Sequence, residues 1–193
     1  FVDLGAWAVQ LTLLVGARPY LTRLLSHDDS EVPGLALVVW AKILVSDAGR
    51  VGLPGKDTYR AFYKLLHSER MSGYHRCLAA LCLSVACRSR AAVKAGLLEV
   101  GVLHLVADGL HSSKEVPLRW MLCLLCAEVC RDFEAAAVAA LNGGASDALL
   151  VALGDSSPEV RASAVYAVGC VLAASVNGIG ATAQGAPVSA TVT

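Results

Sequence analysis

Apolar residues recur at three- and four-residue spacing through most of the chain, as in AWAVQLTLLV, DTYRAFYKLL, GLLEVGVLHLVADGL and ASDALLVAL, and no stretch alternates strand-fashion. That period predicts amphipathic helices throughout. Four longer segments resemble one another. Three are LSHDDSEVPGLALVVWAKIL from Leu25, LHSERMSGYHRCLAALCLSV from Leu66 and LHSSKEVPLRWMLCLLCAEV from Leu110. The fourth starts at Leu153 and runs through SPEVRASAVYAVGCVL to Leu172. Their first leucines stand 41, 44 and 43 residues apart. Each segment is a polar turn followed by a helix of about fifteen residues, the arrangement of a helical repeat.

Counting from those leucines places Leu37, Leu78, Leu122 and Val165 at one offset, Trp40, Leu81, Leu125 and Val168 three further on, and Leu44, Val85, Val129 and Leu172 four beyond that. This is one stripe of a helix. Beside it Ala41, Cys82, Cys126 and Gly169 are small in every copy, which predicts close approach of neighbouring helices there. Short leading helices are expected at RAAVKA and FEAAAVAAL, and Pro158 in SPEVR suits a helix's first turn. Up to three helices at this period predict an all-α, right-handed solenoid of armadillo or HEAT type. Residues 1–173 form about four units starting near 6, 47, 89 and 133. The second unit exchanges its first helix for the Gly/Pro-rich loop 46–56. The Ala/Gly/Ser/Thr-rich stretch 174–193 reads as a linker or disordered tail.

With 16 basic and 16 acidic residues, the chain lacks the charge excess of a nucleic-acid groove. Seven cysteines in apolar stretches suit reduced, buried thiols rather than a disulfide framework. Phe1 opens directly into a helical pattern without an initiator Met or signal peptide, so the chain reads as a piece of a longer protein. The uncharged run from Ala162 has an apolar part ending at Asn177. At roughly 22 Å as a helix it falls short of a bilayer core of about 30 Å, and direct membrane insertion is not expected.

Candidate chemistry is sparse. Cys123, Cys126 and Cys130 share a helix without the turns or fourth ligand of a zinc site, and they sit away from a helix N-terminus that would activate a thiol. No Gly-rich phosphate loop and no nucleophile–base pair is evident, so neither enzyme activity nor a cofactor is expected. Trp40 and Trp120 read as core residues. Neither is followed by Asn four residues on, so the groove array of armadillo modules that capture basic peptides is missing. Asp155 and Arg161 resemble the HEAT ladder pair, a structural role. Arg76 and Arg119, near the starts of long helices, are candidates for a partner-binding edge.

LGAWAVQLTLLVGARPYLTRLL, LALVVWAKILVSD and EVRASAVYAVG, in this order, resemble the central solenoid of the Raptor family, the regulatory subunits of TOR complex 1. Ala6–Val9, Trp40–Leu44 and Leu118–Trp120 carry the resemblance most specifically. It implies a scaffold that docks TOR kinase and Rag-type GTPases beside other subunits of the complex. It also implies a cytoplasmic protein recruited to lysosomal or vacuolar surfaces. A generic armadillo adaptor that grips a peptide or protein is the alternative.

Overall fold

The computed structural model describes residues 1–29, 31–46, 55–88 and 90–183, with side chains as far as Val176. Eleven α-helices and no strand occur among the described residues. They group into four units: α1 (Ala6–Leu14), α2 (Arg18–Leu24) and α3 (Glu31–Val45); α4 (Lys56–His67) and α5 (Gly73–Cys87); α6 (Ala91–Glu99), α7 (Val102–Ser112) and α8 (Val116–Cys130); α9 (Glu134–Asn142), α10 (Ala145–Ala152) and α11 (Pro158–Ala183). The expected leading helices are α6 and α9, and Pro158 is the first residue of α11. Most of the loop expected at 46–56 lies outside the described residues.

Glycine makes the corner between first and second helices. Gly16, Gly101 and Gly144 hold φ of 75°, 82° and 80° at the α1–α2, α6–α7 and α9–α10 junctions. A side chain there would strain the left-handed backbone. Glycine also permits close approach within a unit, since a Cβ on Gly109 of α7 would lie 2.6 Å from Leu122 Cδ1 of α8.

The third helices α3, α5, α8 and α11 stack in that order and form the spine of the core. Numbering each from its first residue, position 7 is Leu37, Ala79, Leu122 and Ala164, and position 10 is Trp40, Cys82, Leu125 and Ala167. Position 14 is Leu44, Ala86, Val129 and Val171, and all twelve are buried. Trp40 meets Phe62 of α4 edge-on, with ring centroids 5.8 Å apart.

This register corrects the sequence count in two units. Leu25 and Leu110 stand six residues before their third helix, but Leu66 stands seven before Gly73 and Leu153 five before Pro158. Turn length thus shifts the second and fourth stripes by one position each. The partners of Ala41 and Cys126 are Leu83 and Val168, not Cys82 and Gly169, so that position is not uniformly small.

On α5 and α8 a small face lies at positions 8, 12 and 15, which on α3 carry Val38, Lys42 and Val45. On α5 these are Ala80, Ser84 and Cys87, and on α8 Cys123, Ala127 and Cys130, all buried beneath the next third helix. On α11 the same positions are Val165, Gly169 and Leu172, exposed because no described helix follows. Helix α11 also continues past 173, where the sequence reading ended the repeats. Ala174 is buried, and alanine favours a helix where a low-complexity composition suggested a linker. At this length Pro158–Val176 is long and apolar enough to cross a membrane, so the length argument made from sequence does not hold. Its inner face is packed on α8, α9 and α10, as in a core helix of the repeat.

Candidate functional site

Arginine recurs at position 4 of three third helices, as Arg76, Arg119 and Arg161. Each guanidinium donates back to a carbonyl of the turn, or of the helix end, that precedes its own helix. Arg76 Nε reaches Leu66 O at 2.9 Å, Arg119 Nη1 reaches Ser113 O at 3.2 Å, and Arg161 Nη1 reaches Asp155 O at 2.8 Å and Ser156 O at 3.0 Å. These arginines satisfy carbonyls that a helix end or turn leaves open. In the first unit the position is Gly34, and the His75 ring fills the space a Cβ would need.

Arg119 does more. Its Nε and Nη2 donate to Asp155 Oδ2 and Oδ1 at 2.7 and 2.9 Å, a two-pronged pair that joins the third unit to the fourth. The side chains are 13% and 11% exposed. Arg119 is therefore an inter-unit clamp rather than a free partner edge, because both prongs of its fork are already engaged. Arg76 is half-buried with its Nε committed to a carbonyl. The Asp155 carboxylate goes to Arg119 of the preceding unit, while Arg161 uses the Asp155 carbonyl. Hydrogen bonding from Arg119 holds the Asp155 carboxyl down at about 2.

The cysteines are spacers. Cys82, Cys87, Cys123, Cys126 and Cys130 are fully buried, and Cys77 and Cys170 half-buried. Burial pushes the Cys87 thiol up to about 12 and Cys123 up to about 11, and raises Cys82 further. Cys126 is raised first by its contact with Cys130 and then by burial. A thiol held protonated is a poor nucleophile and metal ligand. Among the described residues no group of three or more His, Cys, Asp or Glu side chains converges as a metal site.

What the stack offers to a partner is apolar and linear. Position 5 carries Leu35, Cys77, Trp120 and Ala162, and position 9 carries Val39, Leu81, Leu124 and Tyr166. None of these eight is fully buried. Trp120, read from sequence as core, is 40% exposed because position 5 points out of the stack, and Leu35 is 66% exposed. Exposed apolar side chains on successive repeats, here Leu35, Trp120 and Tyr166 beside half-buried Val39, Cys77, Leu81 and Leu124, are the kind of surface that takes a large protein partner. The rows were missed in the sequence because the slipped count mixed buried Leu37 and Leu122 with half-exposed Leu78.

Three outcomes check this geometry. Replacing Asp155 by Asn costs stability that is constant above about pH 5, because a carboxyl with a depressed pKa stabilises the folded state once it is ionised in both states. The difference between wild type and variant shrinks as pH falls below about 4 toward 2, measured by urea unfolding across that range. At neutral pH, Arg119→Ala costs about 3 kcal/mol by leaving a largely buried carboxylate unpaired. Thiol labelling of native protein near pH 8 reaches no cysteine beyond Cys77 and Cys170, and the five buried thiols react only after unfolding.

No protein-family model matches the chain. It is 34% identical over 170 residues to the protein raptor homolog of Dictyostelium discoideum, covering 88% of this chain and 11% of that protein. It is 33% identical over 177 residues to regulatory-associated protein of TOR 2 of Oryza sativa, covering 88% and 13%. The identity to target of rapamycin complex 1 subunit mip1 of Schizosaccharomyces pombe is 31% over 175 residues, covering 86% and 13%. The chain thus spans only 11–13% of the length of these relatives. The crystal structure of Chaetomium thermophilum Raptor matches with a TM-score of 0.77 at 25% identity, over 89% of this chain and 17% of that one. A designed armadillo repeat protein matches with a TM-score of 0.72 at 19% identity, over 96% and 82%, which shows the fold alone. The resemblance seen in AWAV, WAKIL and LRW is carried through by nearly nine-tenths of the sequence, and the chain belongs to the Raptor family as a helical-repeat segment of it.

Proposed function

We propose that this chain is a non-catalytic scaffold segment of TOR complex 1, docking TOR kinase and Rag-type GTPases in nutrient-dependent growth signalling. The observation that carries the reading is identity of 31–34% to Raptor-family proteins across the repeats. Two relatives are named as target of rapamycin complex 1 subunits. The physical surface supports it: two partly exposed apolar rows cross four stacked helices, while five of the seven thiols are buried. The protein acts in the cytoplasm and reaches the lysosomal or vacuolar surface through its partners, with α11 held in the stack rather than in a bilayer.

A generic peptide-gripping adaptor is the second reading, favoured by the likeness to designed armadillo proteins, one solved with the peptide (KR)4. Here the rows are apolar, and Arg131 lies over the ring of Tyr166 in one of them, so a cationic peptide is a poor fit. Deleting residues 1–172 from the full-length protein abolishes co-purification with TOR kinase in the scaffold reading. Undiminished kinase binding by the deleted protein contradicts it.

A further inference from the structure

In the third and fourth units the first helix lies between two third helices. Helix α6 packs on α5 of the unit before and on α8 of its own, and α9 packs on α8, on α11 and on the preceding first helix α6. Each has a short buried apolar face, Val93 and Leu97 on α6 and Ala136, Ala137 and Ala140 on α9. The equivalent place one unit earlier is bounded by α3, α5 and α1. A cavity of about 600 Å³ opens between those three helices, lined by Val9 of α1, Val38, Ala41 and Val45 of α3, and Tyr74 and Leu78 of α5.

The second unit's sequence differs at this place. The other units have AWAVQLTLL, AAVKAGLLE and EAAAVAALN as first helices, whereas residues 46–56 read SDAGRVGLPGK, with Gly49, Gly52 and Pro54. Glycine and proline are the poorest helix formers. The walls differ as well. Positions 8 and 15 of α5 and α8 are fully covered, but on α3 Val38 is half-buried and Val45 is 67% exposed. Tyr74, on the α5 wall, is 61% exposed. Lys42 also lines the cavity, and its ammonium is already paired with Asp3, so charge does not select what enters.

We propose that this cavity binds a short amphipathic helix of a partner protein, seated as α6 and α9 are seated in their units. A helix satisfies its own backbone groups, as an apolar wall requires, and anchors by side chains one turn apart. Val93 with Leu97 and Ala136 with Ala140 keep that i, i+4 spacing, which defines the partner's face as small to medium apolar residues. Nine residues, the length of α6 and of α9, span about 13 Å. Occupancy of the groove does not depend on which complex the chain joins.

The test is fluorescence anisotropy of a labelled peptide, residues 133–143 of this chain held helical by a hydrocarbon staple on its outer face, titrated with the full-length protein. The peptide binds saturably, and the same peptide carrying Ala136→Glu and Ala140→Glu does not. Val45→Arg in the protein weakens binding at least about tenfold. Val45 is the exposed last residue of α3, so the melting temperature stays unchanged. Tyr74→Ala, on the α5 wall, gives the same loss and decides the matter if Val45→Arg does not fold. Absent binding, or binding indifferent to both substitutions, overturns the proposal. Binding that appears only after residues 47–54 are replaced by a Gly/Ser linker overturns it too, by making that segment the occupant. Self-association of the full-length protein that Val45→Arg abolishes would assign the groove to a second copy and contradict a partner helix.

Discussion

The structure depends on how closely α3, α5, α8 and α11 can approach one another. A helix of 15 residues such as α5 or α8 is marginal alone and gains its stability by burying a face. On α5 the face turned toward the next unit is Ala80, Ser84 and Cys87, and on α8 it is Cys123, Ala127 and Cys130. These short side chains bring helix axes together and leave Leu122, Leu125 and Val129 to fill the core. Polar links then fix the spacing: the Arg119–Asp155 fork joins two units, and the position-4 arginines tie α5, α8 and α11 to the chain just before them.

The same constraint explains the state of the thiols. A thiol chosen for size and buried on an inter-helix face is held in its protonated form, as at Cys87 and Cys123. Function then rests on what the stack leaves outside, where positions 5 and 9 form apolar rows. Burying one face of a third helix is thus what creates the other. An end-to-end series of such units suits a scaffold, because each adds an increment of surface without altering the one before it.

Much of this was legible in the sequence for a definite reason. The 3.6-residue period and the repeated turn-plus-helix segments reflect burial that recurs in every unit, so the architecture and the helices α6 and α9 could be read directly. What counting from leucines could not see is the length of each turn, seven residues after Leu66 but five after Leu153, and so Cys82 and Gly169 were assigned to the wrong row. Arg119 looked like an edge residue because its partner, Asp155, is 36 positions away in the next unit. Gly16, Gly101 and Gly144 are a repeat signal that composition hides, since what they share is a φ of 75–82° at matching helix junctions.

The most direct measurement compares one substitution at one repeat position in two settings. Ala127 and Gly169 both occupy position 12. The first is buried under α11, while at the second no atom lies within 4 Å of the place a Cβ would take. Unfolding of the 193-residue chain should show Ala127→Leu destabilising by about 1–3 kcal/mol through overpacking. Gly169→Leu should be neutral or stabilising by up to about 1 kcal/mol through helix propensity. Equal losses at the two positions, or a neutral Ala127→Leu, would contradict a fold held by close third-helix stacking.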